Sequence, residues 1–182
     1  MNQNTWHGIG RPNKGASSSV DETGRLDCTT PVGQSYIARE RNIAQWLTSQ
    51  TGLPHVETPD PCGIDAIYGK DQSLWLVEIR CRPSLYLVGE KVFNKDKNLY
   101  HDTILVTAGK LKRAQKAAQY MHGKYILMIH LGSGHIIWWD LTLAKFDVKK
   151  TITSAGCNGG KALRDNAFIP ISDASIHKGF TY

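Results

Sequence analysis

A chain of 182 residues is long enough to bury one sizeable core, and its 41% apolar content includes no run approaching the length of a membrane span, so a soluble protein is expected. The formal net charge is +6, and the excess lies in residues 35–182, which hold 19 Lys/Arg against 13 Asp/Glu, whereas residues 1–34 hold three of each. A folded basic domain favours a polyanion as partner, although an ordinary basic surface gives the same count.

Residues 1–34 are rich in Gly, Ser, Thr, Asn and Pro without helical or strand period, so they read as a flexible or irregular extension ahead of a folded domain over 35–182. The opening Met1-Asn2-Gln3-Asn4-Thr5-Trp6-His7 has no basic segment followed by an apolar one, and no secretory signal is expected. Gly10-Arg11-Pro12 resembles the minor-groove segment of an AT-hook, but flanking cations are sparse and an incidental tripeptide has the same form. Cys28, Cys62, Cys81 and Cys157 are too widely spaced for a close-paired zinc site and fit reduced thiols in a cytoplasmic setting.

From Ser35 to Gln50 the residues Tyr36, Ile37, Ile43, Ala44 and Leu47 recur at spacings of three and four, which predicts a helix. Glu40 falls inside that stripe. A carboxylate there is costly unless a cation faces it, from a bound ion or from Arg39, Arg41 or Arg80. Thr51-Gly52 ends the helix, and Leu53 to Cys62, with three prolines, predicts an extended loop.

Gly63 to Tyr68 and Leu74 to Arg82 are rich in β-branched and aromatic residues, and the segment between them has turn composition, which predicts a hairpin. The period of two puts Leu74, Leu76, Glu78, Arg80 and Arg82 on one face of the second strand, with Trp75, Val77, Ile79 and Cys81 on the other. Antiparallel pairing brings Asp65 beside Glu78. Like charges that close call for a cation between them, and a divalent-metal site follows. Asp60 is a rival for Asp65, which is preferred because a strand start fixes its direction.

Ser84 to Asp102 mixes Tyr86, Phe93 and Tyr100 with Lys91, Lys95 and Lys97, a composition suited either to contact with a nucleic acid or to a plain excursion. Thr103 to Val106 predicts a short buried strand, with Thr107 as the cap of a helix over Ala108–His122 that Gly123 stops. Lys110, Lys112, Arg113 and Lys116 crowd the N-terminal half of that helix, where the macrodipole disfavours cations, so some other interaction is expected to hold them there. With Arg82, Lys95 and Lys97 they are the candidate nucleic-acid contacts. Tyr125–Leu131 and His135–Leu141 predict two interior strands. Beyond Lys145 only Ala167–Ile171 predicts a further strand or docking segment, Asn158-Gly159-Gly160-Lys161 does not fit a phosphate loop, and His130, His135 and His177 have no ligand spacing.

An Asp at the start of one strand followed by Glu78-Ile79-Arg80 in the next resembles the active-site signature of the PD-(D/E)XK nuclease superfamily, with Arg80 where the signature has Lys. The predicted order of elements over about 35–141 agrees with that family's αβββαβ core, leaving 142–182 as an addition. The resemblance implies an α/β, restriction-endonuclease-like fold, a mixed central sheet flanked by helices. It also implies an acid on the first helix, matched by Glu40, and a polar position on the later helix, matched by Gln115.

If the resemblance holds, Asp65, Glu78 and the carbonyl of Ile79 hold Mg²⁺ or Mn²⁺, and Asp65, Glu78, Arg80, Glu40 and Gln115 form the catalytic set of a DNA endonuclease, with branched or phage-type DNA as one expected substrate. A guanidinium grips phosphate but does not give up a proton near neutral pH, so Arg80 fills only part of the lysine's role; Lys112 or Lys116 is the candidate for the rest. The alternative is a nuclease-fold DNA-binding protein with weak or no catalysis. A homodimer is one way to cut both strands.

Overall fold

Thr30 and Pro31 open the first helix. The Thr30 hydroxyl accepts the Gly33 N–H at 3.1 Å, and a proline at the first helical position forfeits no bond. Helix α1 (Pro31–Thr51) therefore begins ahead of the expected Ser35, because the apolar period that located it starts only at Tyr36. Gly52, at φ +66°, ends it as expected, its N–H bonded to the Thr48 carbonyl at 2.8 Å.

The computed structural model describes residues 30–58, 64–70, 72–154 and 161–180. The Arg11 tripeptide, Asp60, Cys28, Cys62, Cys157 and the glycine-rich 155–160 lie outside them. The described residues fall in two compact units, one holding 30–37, 150–154 and 161–164, the other the described parts of 38–149 with 165–180. The site and the central sheet belong to the second unit.

After α1 come β1 (His55–Glu57), β2 (Ala66–Lys70), β3 (Ser73–Arg82), β4 (Leu85–Val88), β5 (Lys91–Asn94), β6 (Leu99–His101) and β7 (Thr103–Thr107). Helix α2 (Ala108–Tyr120) is followed by β8 (Lys124–Leu131), β9 (Ile136–Asp140), β10 (Asp147–Ser154), β11 (Lys161–Pro170), a 3-10 turn and β12 (Ser175–His177). The central sheet runs β1-β2-β3-β8-β9-β12, and two three-stranded sheets run β10-β11-β7 and β4-β5-β6. In the central sheet β3 and β8 are parallel, joined through α2, and the other neighbours are antiparallel. The fold is α/β with a mixed central sheet flanked by helices, the class expected from the sequence.

Strand register assigns the helices to faces. Cross-strand partners share a face, so Ala66, Tyr68, Val77, Ile79, Ile126, Met128 and His130 line one side. Helix α1 covers that side: the Tyr68 hydroxyl donates to the Ala44 carbonyl at 2.7 Å, and Trp46 lies 4.6 Å from the His177 ring. Ile67, Leu76, Glu78, Arg80, Tyr125, Leu127 and Ile129 line the other. There α2 buries Leu111, Ala114 and Ala118 against Leu76, Tyr125 and Leu127. Each fully buried leucine in that layer contributes about 1.5–3 kcal/mol.

Strand β7 is not a strand of the central sheet, pairing instead with β11 from Asn166↔Thr107 to Pro170↔Thr103. Ile104 and Val106 are buried while Leu105 is exposed, the one-sided pattern of a covering strand rather than an interior one. The β4–β6 sheet docks where the β8–β9 turn passes: the Gly132 N–H lies 2.8 Å from the Leu85 carbonyl, and a Cβ at Gly132 would meet the Pro83 carbonyl oxygen at 2.1 Å. Gly132→Ala is therefore expected to cost about 1–3 kcal/mol in a urea unfolding titration, since backbone must move to admit the methyl.

Candidate active site

Asp65 stands one residue before β2 and is held there at both ends. Its N–H donates to the Val77 carbonyl at 2.8 Å, and its Oδ2 accepts the Ile79 N–H at 2.6 Å. With Ala66 paired to Val77, this sets Asp65 opposite Glu78, on the face covered by α2. The hairpin expected from composition thus delivers the two carboxylates to the same side of the sheet.

Glu78 is the deepest charged group of the cluster, its side chain 2% exposed, and both its oxygens are engaged. Arg80, two residues on and so on the same face, donates to Oε1 through Nε at 2.9 Å and Nη2 at 2.7 Å. Lys110, in the first turn of α2, donates to that same Oε1 at 3.1 Å. Tyr125 lies on β8 beside Leu76, and its hydroxyl donates to Oε2 at 2.6 Å. Exposure rises outward, from 2% at Glu78 through 16% at Arg80 to 39% at Lys110, so the cluster meets solvent on the Lys110 side.

The electrostatics separate the two acids. Burial pushes the Asp65 carboxyl up to about 6 from an ordinary 3.8, with the charge on Glu78 adding to the rise and the Ile79 N–H, Lys110 and Arg80 opposing it. Burial also works to raise Glu78, but Arg80, Lys110 and the Tyr125 hydroxyl outweigh it and hold that carboxyl below its ordinary value. Burial, then the adjacent Glu78 charge, pushes the Tyr125 phenol far up, so it stays a neutral donor.

The other expected site residues are distributed elsewhere. Glu40 is half-buried on α1, over the opposite face of the sheet. Gln115 donates through Nε2 to the carbonyls of Leu141 at 2.6 Å and Ala144 at 2.9 Å, pinning the chain after β9. Lys112, Arg113 and Lys116 are exposed on α2, with the Lys116 ammonium 5.6 Å from the Tyr120 ring. Arg82 is exposed at the end of β3, and Lys95 and Lys97 are exposed beyond β5. Ile79 meets Asp65 through its amide.

Two participants were not assigned this place by sequence. Tyr125 reads as an interior strand residue, and its partner lies 47 positions away. By sequence Lys110 is a candidate nucleic-acid contact, and Lys112 or Lys116 the candidate to supply an ammonium near position 80; it is the Lys110 ammonium that reaches the carboxylate. The signal was present, since a cation in a first helical turn opposes the macrodipole and needs a compensating anion, and Glu78 is that anion.

As a test of donors for a divalent ion, the paired carboxylates are apt: Mg²⁺ takes one or two carboxylates and keeps several waters, and the raised Asp65 carboxyl is one that a cation would restore to its charged form. Among the described residues no three His, Cys, Asp or Glu side chains are grouped to hold a metal. Glu78 Oε1 already accepts from Arg80 and Lys110, and these are the two cations with which an ion held by Glu78 would compete.

No family model matches the chain, and no curated protein does. Among the described residues no helix is long and apolar enough to cross a membrane. A similar solved structure is the Holliday junction resolvase Hjc of Archaeoglobus fulgidus, from an archaeal hyperthermophile, 10% identical, with a TM-score of 0.46 over 73% of this chain and 82% of that one.

Proposed function

We propose that this protein is a metal-dependent nuclease that hydrolyses phosphodiester bonds in DNA, acting as an endonuclease from the Asp65–Glu78 cluster. The observation that supports this reading is the convergence, on one face of a basic domain, of the buried Glu78 and half-buried Asp65 carboxylates with one guanidinium and one ammonium that open toward solvent. Asp65, Glu78 and the Ile79 carbonyl are the groups that would hold Mg²⁺ or Mn²⁺, which supplies Lewis acidity toward a phosphate oxygen and a more acidic bound water. Tyr125 fixes the orientation of Glu78. Arg80 and Lys110, released from Oε1, grip the phosphate and offset its charge in the transition state, the guanidinium as a fork and the ammonium as a point charge. Lys112, Arg113 and Lys116, exposed on the same helix as Lys110, extend the cationic track for the DNA backbone.

A second reading, a DNA-binding protein without catalysis, is favoured by one feature: Glu78 already has four protein donors on its two oxygens, which balances its charge without any ion. One assay separates the two. Supercoiled, single-stranded and four-way-junction DNA are incubated with the protein in Mg²⁺, Mn²⁺ or EDTA, beside Asp65→Asn. Cutting that requires metal and disappears in Asp65→Asn is the expected result. Salt-sensitive retardation on a gel with no cutting would establish the second reading, and neither effect would dismiss both.

A further inference from the structure

The β4–β5–β6 sheet has two unlike faces. Inward, Val92 is fully buried, and Leu85 and Leu87 pack against the main core, an aliphatic contact that anchors the sheet. Outward, the register aligns Tyr86 with Phe93 and Phe93 with Tyr100, so three aromatic rings step across three neighbouring strands in one row. The Phe93 and Tyr100 rings lie 4.9 Å apart, and Tyr100 is 54% exposed. Tyr86 and Phe93 are half-buried, the Tyr86 ring lying against Gly132 of the β8–β9 turn, and Tyr100 is the exposed end of the row.

Cations frame the row. Lys91 is paired with Val88 and, two residues before Phe93, shares its face. The Lys95 ammonium lies 5.9 Å from the centre of the Tyr86 ring, and Lys97 is exposed in the turn between β5 and β6. Glu90 and Asp96 stand in the two turns, so three lysines face two acids and the local field is only mildly positive. A surface of flat rings with modest positive charge is suited to a ligand that is itself flat, repetitive and anionic. An unpaired nucleotide strand has those properties, since each base offers a face for stacking and each phosphate a charge, while a duplex hides its base faces. Neighbouring strands lie about 4.8 Å apart, a step that successive unstacked bases can follow.

We propose that the outward face of the β4–β5–β6 sheet is a binding site for single-stranded nucleic acid, with bases stacked on Tyr86, Phe93 and Tyr100 and phosphates held by Lys91 and Lys95. The site is separate from the carboxylate cluster and does not depend on any cleavage activity there.

The test is fluorescence anisotropy on the full chain with end-labelled twelve-nucleotide oligothymidylate, oligouridylate and a blunt duplex of equal length. Asp65→Asn serves as the parent throughout, so that no cutting disturbs the titration. Adding Tyr100→Ala is expected to weaken single-strand binding about tenfold while leaving duplex binding unchanged, and Tyr100→Phe to retain it, because the ring rather than the hydroxyl does the stacking. With two or three phosphates neutralised, the log–log salt slope for the single strand should lie between about −1.4 and −2.1. The two oligonucleotides distinguish DNA from RNA as the natural strand. Single-strand affinity unchanged by Tyr100→Ala would overturn the proposal, as would equal loss of single-strand and duplex binding. No binding of either oligonucleotide by the parent would overturn it too and would leave the row as a protein-docking surface. Circular dichroism melting of each variant separates lost contact from lost fold. Cleavage absent from the unsubstituted protein, with stacking intact in these titrations, would count against the nuclease reading alone.

Discussion

Glu78→Ala is expected to unfold at a much lower urea concentration than the parent protein, with a loss of about 3–5 kcal/mol, because it removes one partner of a buried ion pair and leaves the other in place. The Arg80 guanidinium, 16% exposed, would keep its position beside the sheet without the oxygen that accepts two of its N–H groups. The Tyr125 hydroxyl, buried between β8 and α2, would lose its acceptor, and a buried donor left unpaired costs about 1–3 kcal/mol. Lys110 is the exception: at 39% exposed it can swing into water at little cost. Part of the loss returns through Asp65, which no longer faces a like charge. Glu78→Gln provides the calibration. Its amide oxygen can still accept from Arg80 or Tyr125, so its loss should be less than half that of alanine. The comparison is made on midpoints at constant denaturant slope, which keeps the change in the folded state. A Glu78→Ala protein within 1 kcal/mol of the parent would mean that the carboxylate is not the anchor of Arg80 and Tyr125.

What sequence reveals of this site divides along local and non-local lines. The period of two in β3 is enough to place Glu78 and Arg80 on one face, and turn composition is enough to pair β3 with β2 and bring Asp65 alongside. These are contacts within one hairpin. Tyr125 depends on the parallel register of β3 with β8, which sets Leu76 against Tyr125 only after a helix and four strands have intervened, and no local pattern encodes that offset. Gln115 illustrates a different non-local dependence. The family resemblance implies a site-supporting role for this polar residue one step off a helical stripe, but the neighbour it meets is the Leu141–Ala144 turn, whose carbonyls it binds. Strands β1 and β12, three residues each, fall below the length at which alternation can be read, and they are edge strands defined by their partners. The aromatic row of β4–β6 lay between: its residues were visible as a composition, but the alignment of Tyr86, Phe93 and Tyr100 on one face needed the register.

Asp65→Asn is expected to abolish two responses, and it tests the carboxylate pair without any substrate. In the parent the folded-state carboxyl lies near 6 against an ordinary 3.8, so between those values the folded chain binds a proton that the unfolded chain has released. Stability contributed by this group is therefore full below about pH 4 and is lost as pH rises through 6. The loss is on the order of 3 kcal/mol, since each pKa unit corresponds to about 1.4 kcal/mol. Glu78 acts oppositely, its depressed carboxyl withdrawing stability only as pH falls below its ordinary 4.5, so the two windows barely overlap. Asparagine at position 65 has no proton to lose and can still accept the Ile79 N–H through its amide oxygen. The variant should thus melt at a higher temperature than the parent at pH 8 and show no decline between pH 4 and 6. Millimolar Mg²⁺ should raise the melting temperature of the parent at pH 8, where a cation relieves the paired charges, and leave Asp65→Asn unmoved. A parent that melts identically with and without Mg²⁺ while keeping its decline between pH 4 and 6 would place the ion elsewhere and leave Arg80 and Lys110 as the permanent counter-charges of Glu78. A decline shared equally by parent and variant would remove Asp65 as its source.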